Sequence, residues 1–340
     1  MKSREKFPGH KMKNIKGKQM KSVLYVGLAV VLLAAVGFGG YCIYKHYNTK
    51  ENELPKVYFT RDISPDGLMR VYQAMGWKPH GKVAVKMSTG EPPRSNYLRP
   101  ELIKELVQSV NGTIVECNTA YDGARAQSAE HWKVIKEHGF FDVAPVDIQD
   151  EDGDVALPVN GGNVLTENYV GSHFDNYDSY LVLSHFKGHQ MAGFGGAIKN
   201  ISIGLGSRRG KCWIHSGGTS MTNPWGGEQI AFLESMADAG KSVVDHLGRE
   251  NIAFINVLNR ISIDCDCNGN PAEPDIHDIG ILASTDPVAV DQAGIDMVSV
   301  ADGNAALMER IADRQGLHTL EAAEKIGLGS RKYELIDLDK

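Results

Sequence analysis

Short apolar runs alternate with amphipathic segments along most of this chain, and that alternation limits the folds open to it. Tyr180–Ser184 (YLVLS) is apolar at consecutive positions, the pattern of a strand covered on both faces, as in a parallel sheet. Val57–Thr60, Lys82–Met87, Thr113–Cys117, Val143–Ile148, Ile252–Leu258 and Gly280–Ser284 read as further strands. Between them lie helical patterns. Ser64-Pro65 supplies an N-cap and a first-turn proline ahead of Leu68, Val71, Tyr72 and Met75 at helical spacing. Pro100 opens a second helix, Ser128–His138 and residues 228–247 form others, and Thr285-Asp286-Pro287 caps one more. The tail reads as two helices and a strand at Tyr333–Leu338. Asn160-Gly161-Gly162-Asn163, flanked by Val155–Val159 and Val164–Val170, predicts a hairpin. Repeated β-α-β units imply an α/β fold: a doubly wound, mostly parallel sheet with helices on both faces, over residues 56–340.

The amino-terminal region has a different character. Ser22–Tyr44 is an uncharged apolar run of 23 residues, long enough as a helix to span a bilayer core of about 30 Å. Residues 1–21 carry eight Lys/Arg against one Glu, so they should stay cytoplasmic. The expectation is one transmembrane anchor over 22–44, a linker over 45–55, and an extracytoplasmic body on a bacterial or archaeal cell membrane. A cleaved signal peptide is the alternative. The whole chain has a formal charge of −6, so the part beyond the basic segment is strongly acidic. An acidic body argues against nucleic acid as a partner, because phosphate backbones need a basic surface, and favours a small-molecule substrate. Five cysteines are too few for a disulfide scaffold.

In open α/β sheets ligands lie beyond the carboxyl ends of strands, so the segments that follow strands carry the candidate site. After Lys82–Met87 comes Ser88-Thr89-Gly90-Glu91-Pro92-Pro93-Arg94, leading through Arg99 to a helix N-terminus. Ser88, Thr89, Arg94 and Arg99 are candidates there for a phosphate or carboxylate. After Tyr180–Ser184 comes a Gly-rich segment holding His185, His189 and Lys199 and continuing to Arg208 and His215. Histidines exchange protons near neutral pH, and a partly desolvated lysine is a nucleophile, so His185, His189 and Lys199 are the candidate catalytic residues. Asp264-Cys265-Asp266-Cys267 with His277 is the third cluster. Two thiolates and a histidine suit a soft metal; a disulfide is the alternative.

These stretches resemble a known family. SHFKGHQMAGFGGAIKN, the SRRGK after it, the CDC, and PDIHDIGILASTDPVAVDQAGIDMV are similar to the domain of unknown function, family 362, whose members are often described as uncharacterised iron–sulfur-centre proteins. Many of those relatives carry a ferredoxin-like insert with Cys-x-x-Cys repeats after the SRRGK region. Cys212 to Glu228 holds no such repeat here, so no ferredoxin-type cluster is expected. A fainter resemblance is to the lactate racemase family, which uses a nickel-pincer nucleotide. His189 lies ten residues before Lys199, and His215 sixteen after it, the spacing of that family's site. The resemblance implies His189 as acid/base, Lys199 as the cofactor-attaching residue, His215 as metal ligand, and the 88–100 loop as the phosphate cradle; Arg208 is a further candidate for cofactor binding. Tyr121-Asp122-Gly123-Ala124-Arg125 stands where that family has its other catalytic histidine. The combined expectation is an enzyme of isomerase or oxidoreductase type, acting on a small polar or anionic substrate with a transition metal or metal-nucleotide. A metal-binding redox protein centred on Cys265 and Cys267, and a non-catalytic ligand-binding domain, are the alternatives.

Overall fold

The computed structural model describes residues 53–340. The 22–44 span and most of the linker lie outside them. Among the described residues no helix is long and apolar enough to cross a membrane.

One eight-stranded sheet organises the molecule, with strand order β12-β1-β11-β10-β7-β2-β3-β4. The strands are β1 (Lys56–Thr60), β2 (Val83–Lys86), β3 (Gly112–Glu116), β4 (Val146–Ile148), β7 (Ser179–His185), β10 (Ile252–Leu258), β11 (Gly280–Ser284) and β12 (Glu334–Asp337). Only β11 runs against its neighbours, β1 and β10; the remaining pairings are parallel. Two hairpins lie outside the sheet: β5 (Asp154–Pro158) with β6 (Glu167–Gly171), and β8 (Lys187–His189) with β9 (Gly193–Gly195).

The period-2 pattern explains the layering. In β7, Tyr180 and Val182 join one buried cluster while Leu181 and Leu183 join the other. Phe254 and Ile255 of β10 divide in the same way. One face is covered by α1 (Pro65–Met75), α2 (Pro100–Ser109) and α3 (Ser128–Glu137). The other carries α4 (Ala197–Ser202), α6 (Gln229–Leu247), α7 (Pro287–Ser299), α8 (Ala305–Asp313) and α9 (His318–Lys325). A further helix, α5 (Arg208–His215), packs beside β6 and α6. Both faces of the central strands are therefore dry, and truncating a side chain such as Leu183 to Ala would cost about 2–5 kcal/mol.

The capping signals act as the sequence suggests. Ser64 accepts from Gly67 N at 3.1 Å, and Asp286 accepts from Val288 N and Ala289 N at 2.8 and 2.9 Å. Two boundaries differ by more than a residue. The second arm of the predicted hairpin is strand only from Glu167, so its connection runs over residues 159–166 rather than a tight turn at Asn160–Asn163. Val143–Pro145 is not strand: Phe140–Asp142 makes a 3-10 turn, Phe140 and Val143 fill the core there, and pairing with β3 begins at Val146.

Topology fixes where a ligand belongs. From β2 the chain moves outward through β3 and β4, whereas from β7 it moves the opposite way through β10. Adjacent parallel strands whose connections diverge leave a crevice at their carboxyl ends. Here that switch point lies between β2 and β7, paired with Lys86 opposite Val182.

Candidate active site

A cavity of ≈ 160 Å³ opens at this switch point. Lys86 and Ser88 reach it from the end of β2, Glu116, Cys117, Tyr121 and Arg125 from the end of β3, and His185 from the end of β7. His189, Lys199, Lys211 and His215 line another wall, with Cys265, Asp266 and Cys267 beside them. Exposed Trp225 stands at the same cavity.

The Gly-rich segment is shaped by close backbone approach. Gly188 lies against the Ile263 carbonyl, where a Cβ would collide, and its N–H donates to Ser262 O at 2.8 Å. The β8–β9 hairpin is thereby held against the loop that carries the two cysteines. Gly196 packs on the Asp291 carboxylate with no room for a Cβ. Asp291 accepts from Ala197 N at 2.7 Å and Ile198 N at 2.9 Å, satisfying the start of α4, and Asn256 donates to it at 2.7 Å. Burial raises the Asp291 pKa to about 6 despite those bonds. The VDQ stretch of α7 is thus the anchor of the helix that carries Lys199.

Two of the three histidines that line the cavity, His189 and His215, are fixed in opposite tautomers. His189 Nδ1 accepts from Met191 N at 3.2 Å and from Ala192 N at 3.0 Å. Its lone pair on that side is used, so the neutral ring carries its proton on Nε2. Burial, reinforced by the Lys199 charge, holds the His189 pKa well below the usual histidine value. His215 Nδ1 sits 2.7 Å from the Lys211 carbonyl and donates to it, leaving Nε2 with a free lone pair. Its ring stacks on Phe232, and burial brings its pKa down to about 4. One ring therefore presents a donor and the other an acceptor.

Lys199 is half-buried, and its Nζ makes no hydrogen bond among the described residues. Burial, then the neighbouring Lys187 charge, lowers its pKa to about 7. A substantial fraction of this amine is neutral at physiological pH.

Two buried ion pairs frame the cavity. Asp266 lies 2.8 Å from His185 Nδ1 and 3.2 Å from Lys187 Nζ. Burial alone would raise its pKa, but the charges of His185 and Lys187 outweigh it and hold the carboxyl well below the usual range. Glu116 accepts from Arg125 Nη1 at 3.0 Å and from Thr89 N at 2.5 Å. Burial opposes ionisation there too, and Arg125, His131 and Lys86 override it to bring the pKa down to about 2.

Of the residues singled out in the sequence, the structure gathers Ser88, His185, His189, Lys199, His215, Cys265 and Cys267 around one cavity. His185, however, has both nitrogens engaged, by Asp266 and by Asn259 O at 2.7 Å, which suits it to holding strand ends together rather than to proton transfer. Cys265 and Cys267 are joined as a disulfide, and their sulfurs lie within 4.8 Å of a ring nitrogen of His189. The other candidates lie elsewhere. Thr89 is buried against Glu116. Arg94 reaches across to Asn270. Arg99 covers the Tyr97 ring at 4.0 Å and donates to Ser95 O. The 88–99 loop thus buttresses the 264–270 loop, with Glu91 N bonded to Asp266 O at 2.8 Å, instead of offering its arginines to a ligand. Arg208 donates to Ala126 O and Asp150. His277 is exposed and is not among the residues that line the cavity. Cys212 is a buried free thiol outside the cavity wall. Cys117 does line the cavity; burial pushes its thiol up to about 12, so it is inert.

Fold and site together define an α/β protein with a buried polar crevice at the topological switch point. The match to known sequences is to the domain of unknown function DUF362, over residues 83–296, and the chain belongs to that family. No protein of curated function matches it. Among solved structures it is similar to the lactate racemase apoprotein from Thermoanaerobacterium thermosaccharolyticum, at 14% identity and a TM-score of 0.43, over 73% of this chain and 57% of that one. It is also similar to a Thermotoga maritima protein, a target of the Northeast Structural Genomics Consortium, at 12% identity and a TM-score of 0.38, over 78% and 59%. The chain spans less than two thirds of the length of either.

Proposed function

We propose that this chain is an enzyme that moves a proton at a carbon bearing oxygen in a small anionic substrate, an isomerase-type reaction. The observation that carries this reading is the pair of opposite tautomers, His189 with Nε2–H and His215 with a bare Nε2, in one cavity. His215 Nε2 takes the proton from carbon, becoming an imidazolium. His189 Nε2–H donates a hydrogen bond to the oxygen on which negative charge develops, as a neutral imidazole can in a buried site. The His215 imidazolium then returns the proton to a different atom or face, so no electrons are gained or lost. Lys199, partly neutral, is placed to attack a substrate carbonyl or to hold its oxygen.

The resemblance to the lactate racemase family supports a metal-nucleotide instead as the partner of this site. The donor set fits one: the free Nε2 of His215 would ligate the metal, and the unpaired Lys199 amine would attach the nucleotide. Such a group would supply an acceptor for hydride. A second reading, a metal-binding or redox centre at Cys265 and Cys267, is favoured by the three ligand atoms of His189, Cys265 and Cys267 within 4.8 Å of one another. The span Ser22–Tyr44 supports a single-pass anchor that places the body outside the cytoplasm, and retention in the membrane pellet after alkaline carbonate would test it.

The reaction is tested by incubating the full chain in D2O with a panel of small 2-hydroxy and 2-oxo acids and following C–H loss by NMR. Exchange into at least one of them is expected, falling at least about 100-fold in His215→Gln. Equal exchange with His215→Gln would overturn the assignment. Elemental analysis of the same preparation separates this reading from the metal-dependent ones.

A further inference from the structure

Lys86 and Lys211 are 1% and 6% exposed, yet neither amine joins an ion pair among the described residues. Lys86 Nζ donates only to Met87 O at 2.6 Å, and Lys211 Nζ only to Gly206 O at 2.5 Å. An ammonium has three protons to place, so each amine keeps donors in reserve. Both line the cavity. The surrounding anions are already committed: Glu116 to Arg125 and Thr89, Asp266 to His185 and Lys187, and Asp150 to Asn118 N and Arg208 N. Glu116 and Asp150 act on Lys86 and Lys211 only from beyond ion-pair distance, so burying the two ammonium groups is costly unless a ligand brings negative charge into contact with them.

We infer that Lys86 and Lys211, with Ser88 Oγ, form an anion subsite for a phosphoryl group on the ligand. The guanidinium that lines the cavity, Arg125, has its fork filled by Glu91, Glu116, Ser88 and Tyr121, so planar two-point recognition of a carboxylate is not on offer. Two ammonium groups acting as point charges suit a tetrahedral dianion instead. Burial lowers the Lys86 pKa to about 8, with the Glu116 charge opposing the shift and the Lys211 charge adding to it, and this agrees with a site that gains stability when a dianion enters. This inference deepens the reading of the cavity as a site for a small anionic substrate, and it stands on different residues from the histidine pair.

Inorganic phosphate titrated into the full chain, followed by calorimetry and by thermal unfolding, tests it. Saturable binding at millimolar concentration is expected, weakened by about 10-fold or more in Lys86→Met and in Lys211→Met and unchanged in the exposed control Lys133→Met. Both cavity variants are expected to unfold at a higher temperature than the parent without phosphate, because each removes an unpaired buried charge; this also shows that they are folded. Malonate should bind at least 10-fold more weakly than phosphate. Phosphate binding that survives both substitutions, phosphate that does not bind, or malonate that binds as tightly would each overturn the assignment. Phosphate binding retained in His215→Gln, with proton exchange absent in the parent, would sink the reaction but leave the subsite intact.

Discussion

His185 Nδ1 lies 2.8 Å from Asp266 Oδ1, so the last residue of the central strand is bonded to the residue between the two cysteines. Two segments 81 positions apart in sequence meet at one buried ion pair, and the wall of the cavity is built on it. Lys187 closes the triad on the other carboxylate oxygen.

Replacing Asp266 by Asn should therefore cost about 3–5 kcal/mol, because it leaves His185 and Lys187 buried without a counter-charge. The pH dependence has a definite sign. The folded-state pKa of Asp266 is depressed, so its contribution is complete above the unfolded value near 4 and drains away as pH falls below that. Thermal unfolding should show the gap between parent and Asp266→Asn constant from pH 5 to 7 and narrowing below about pH 4. A gap independent of pH down to 3 would mean that the carboxylate charge is not what matters.

Lys199 should react as an amine of pKa about 7. Burial disfavours the ammonium form, so the nucleophilic form is half-populated near neutrality, where an exposed lysine is almost wholly protonated. Mass spectrometry after brief treatment with an amine-acylating reagent across pH 6–10 should place the midpoint of Lys199 modification near 7. Exposed Lys133 serves as the reference, and its profile should differ from that of Lys199. Coincident profiles for the two lysines would refute the desolvated amine.

The cysteines make a separate expectation. Denatured without reductant, the chain should take up alkylating reagent at Cys117 and Cys212 but not at Cys265 or Cys267, and at all four after reduction. Reduction should also create zinc affinity close to one equivalent, lost in Cys265→Ser, since a thiolate ligates and a disulfide does not. Alkylation of Cys265 and Cys267 without reductant would place the pair in the dithiol state instead.

Much of the fold was legible because burial on both faces leaves an apolar signature. Tyr180–Ser184 and Ile252–Leu258 announce themselves as central strands, and Ser64 and Asp286 as caps. His185, His189, Lys199 and His215 were legible as a cluster at a strand's carboxyl end. Lys86 was not, because in the alternating run KVAVKM it reads as the polar half of a half-exposed strand, whereas it is fully buried at the switch point. Glu116 escaped notice, and Asp266 and Arg125, though within segments the sequence singles out, were given no role, because their meaning lies in partners far away in sequence. Arg94 and Arg99 misled for the converse reason: an arginine near a helix N-terminus looks free for an anion until the loop's own carbonyls and Tyr97 are seen to occupy it.

The opposite tautomers of His189 and His215 are the centre of the proposed mechanism, and 15N NMR of the histidine-labelled chain reads them directly. Each ring is assigned by loss of its signals in His189→Gln and His215→Gln. The expected spectrum has His189 protonated on Nε2 and bare on Nδ1, and His215 protonated on Nδ1 and bare on Nε2. Both should be neutral near pH 7, since burial lowers the pKa of each ring from its ordinary value. The same tautomer on both rings, or a ring that charges between pH 6 and 7, would contradict a paired donor and acceptor in this cavity.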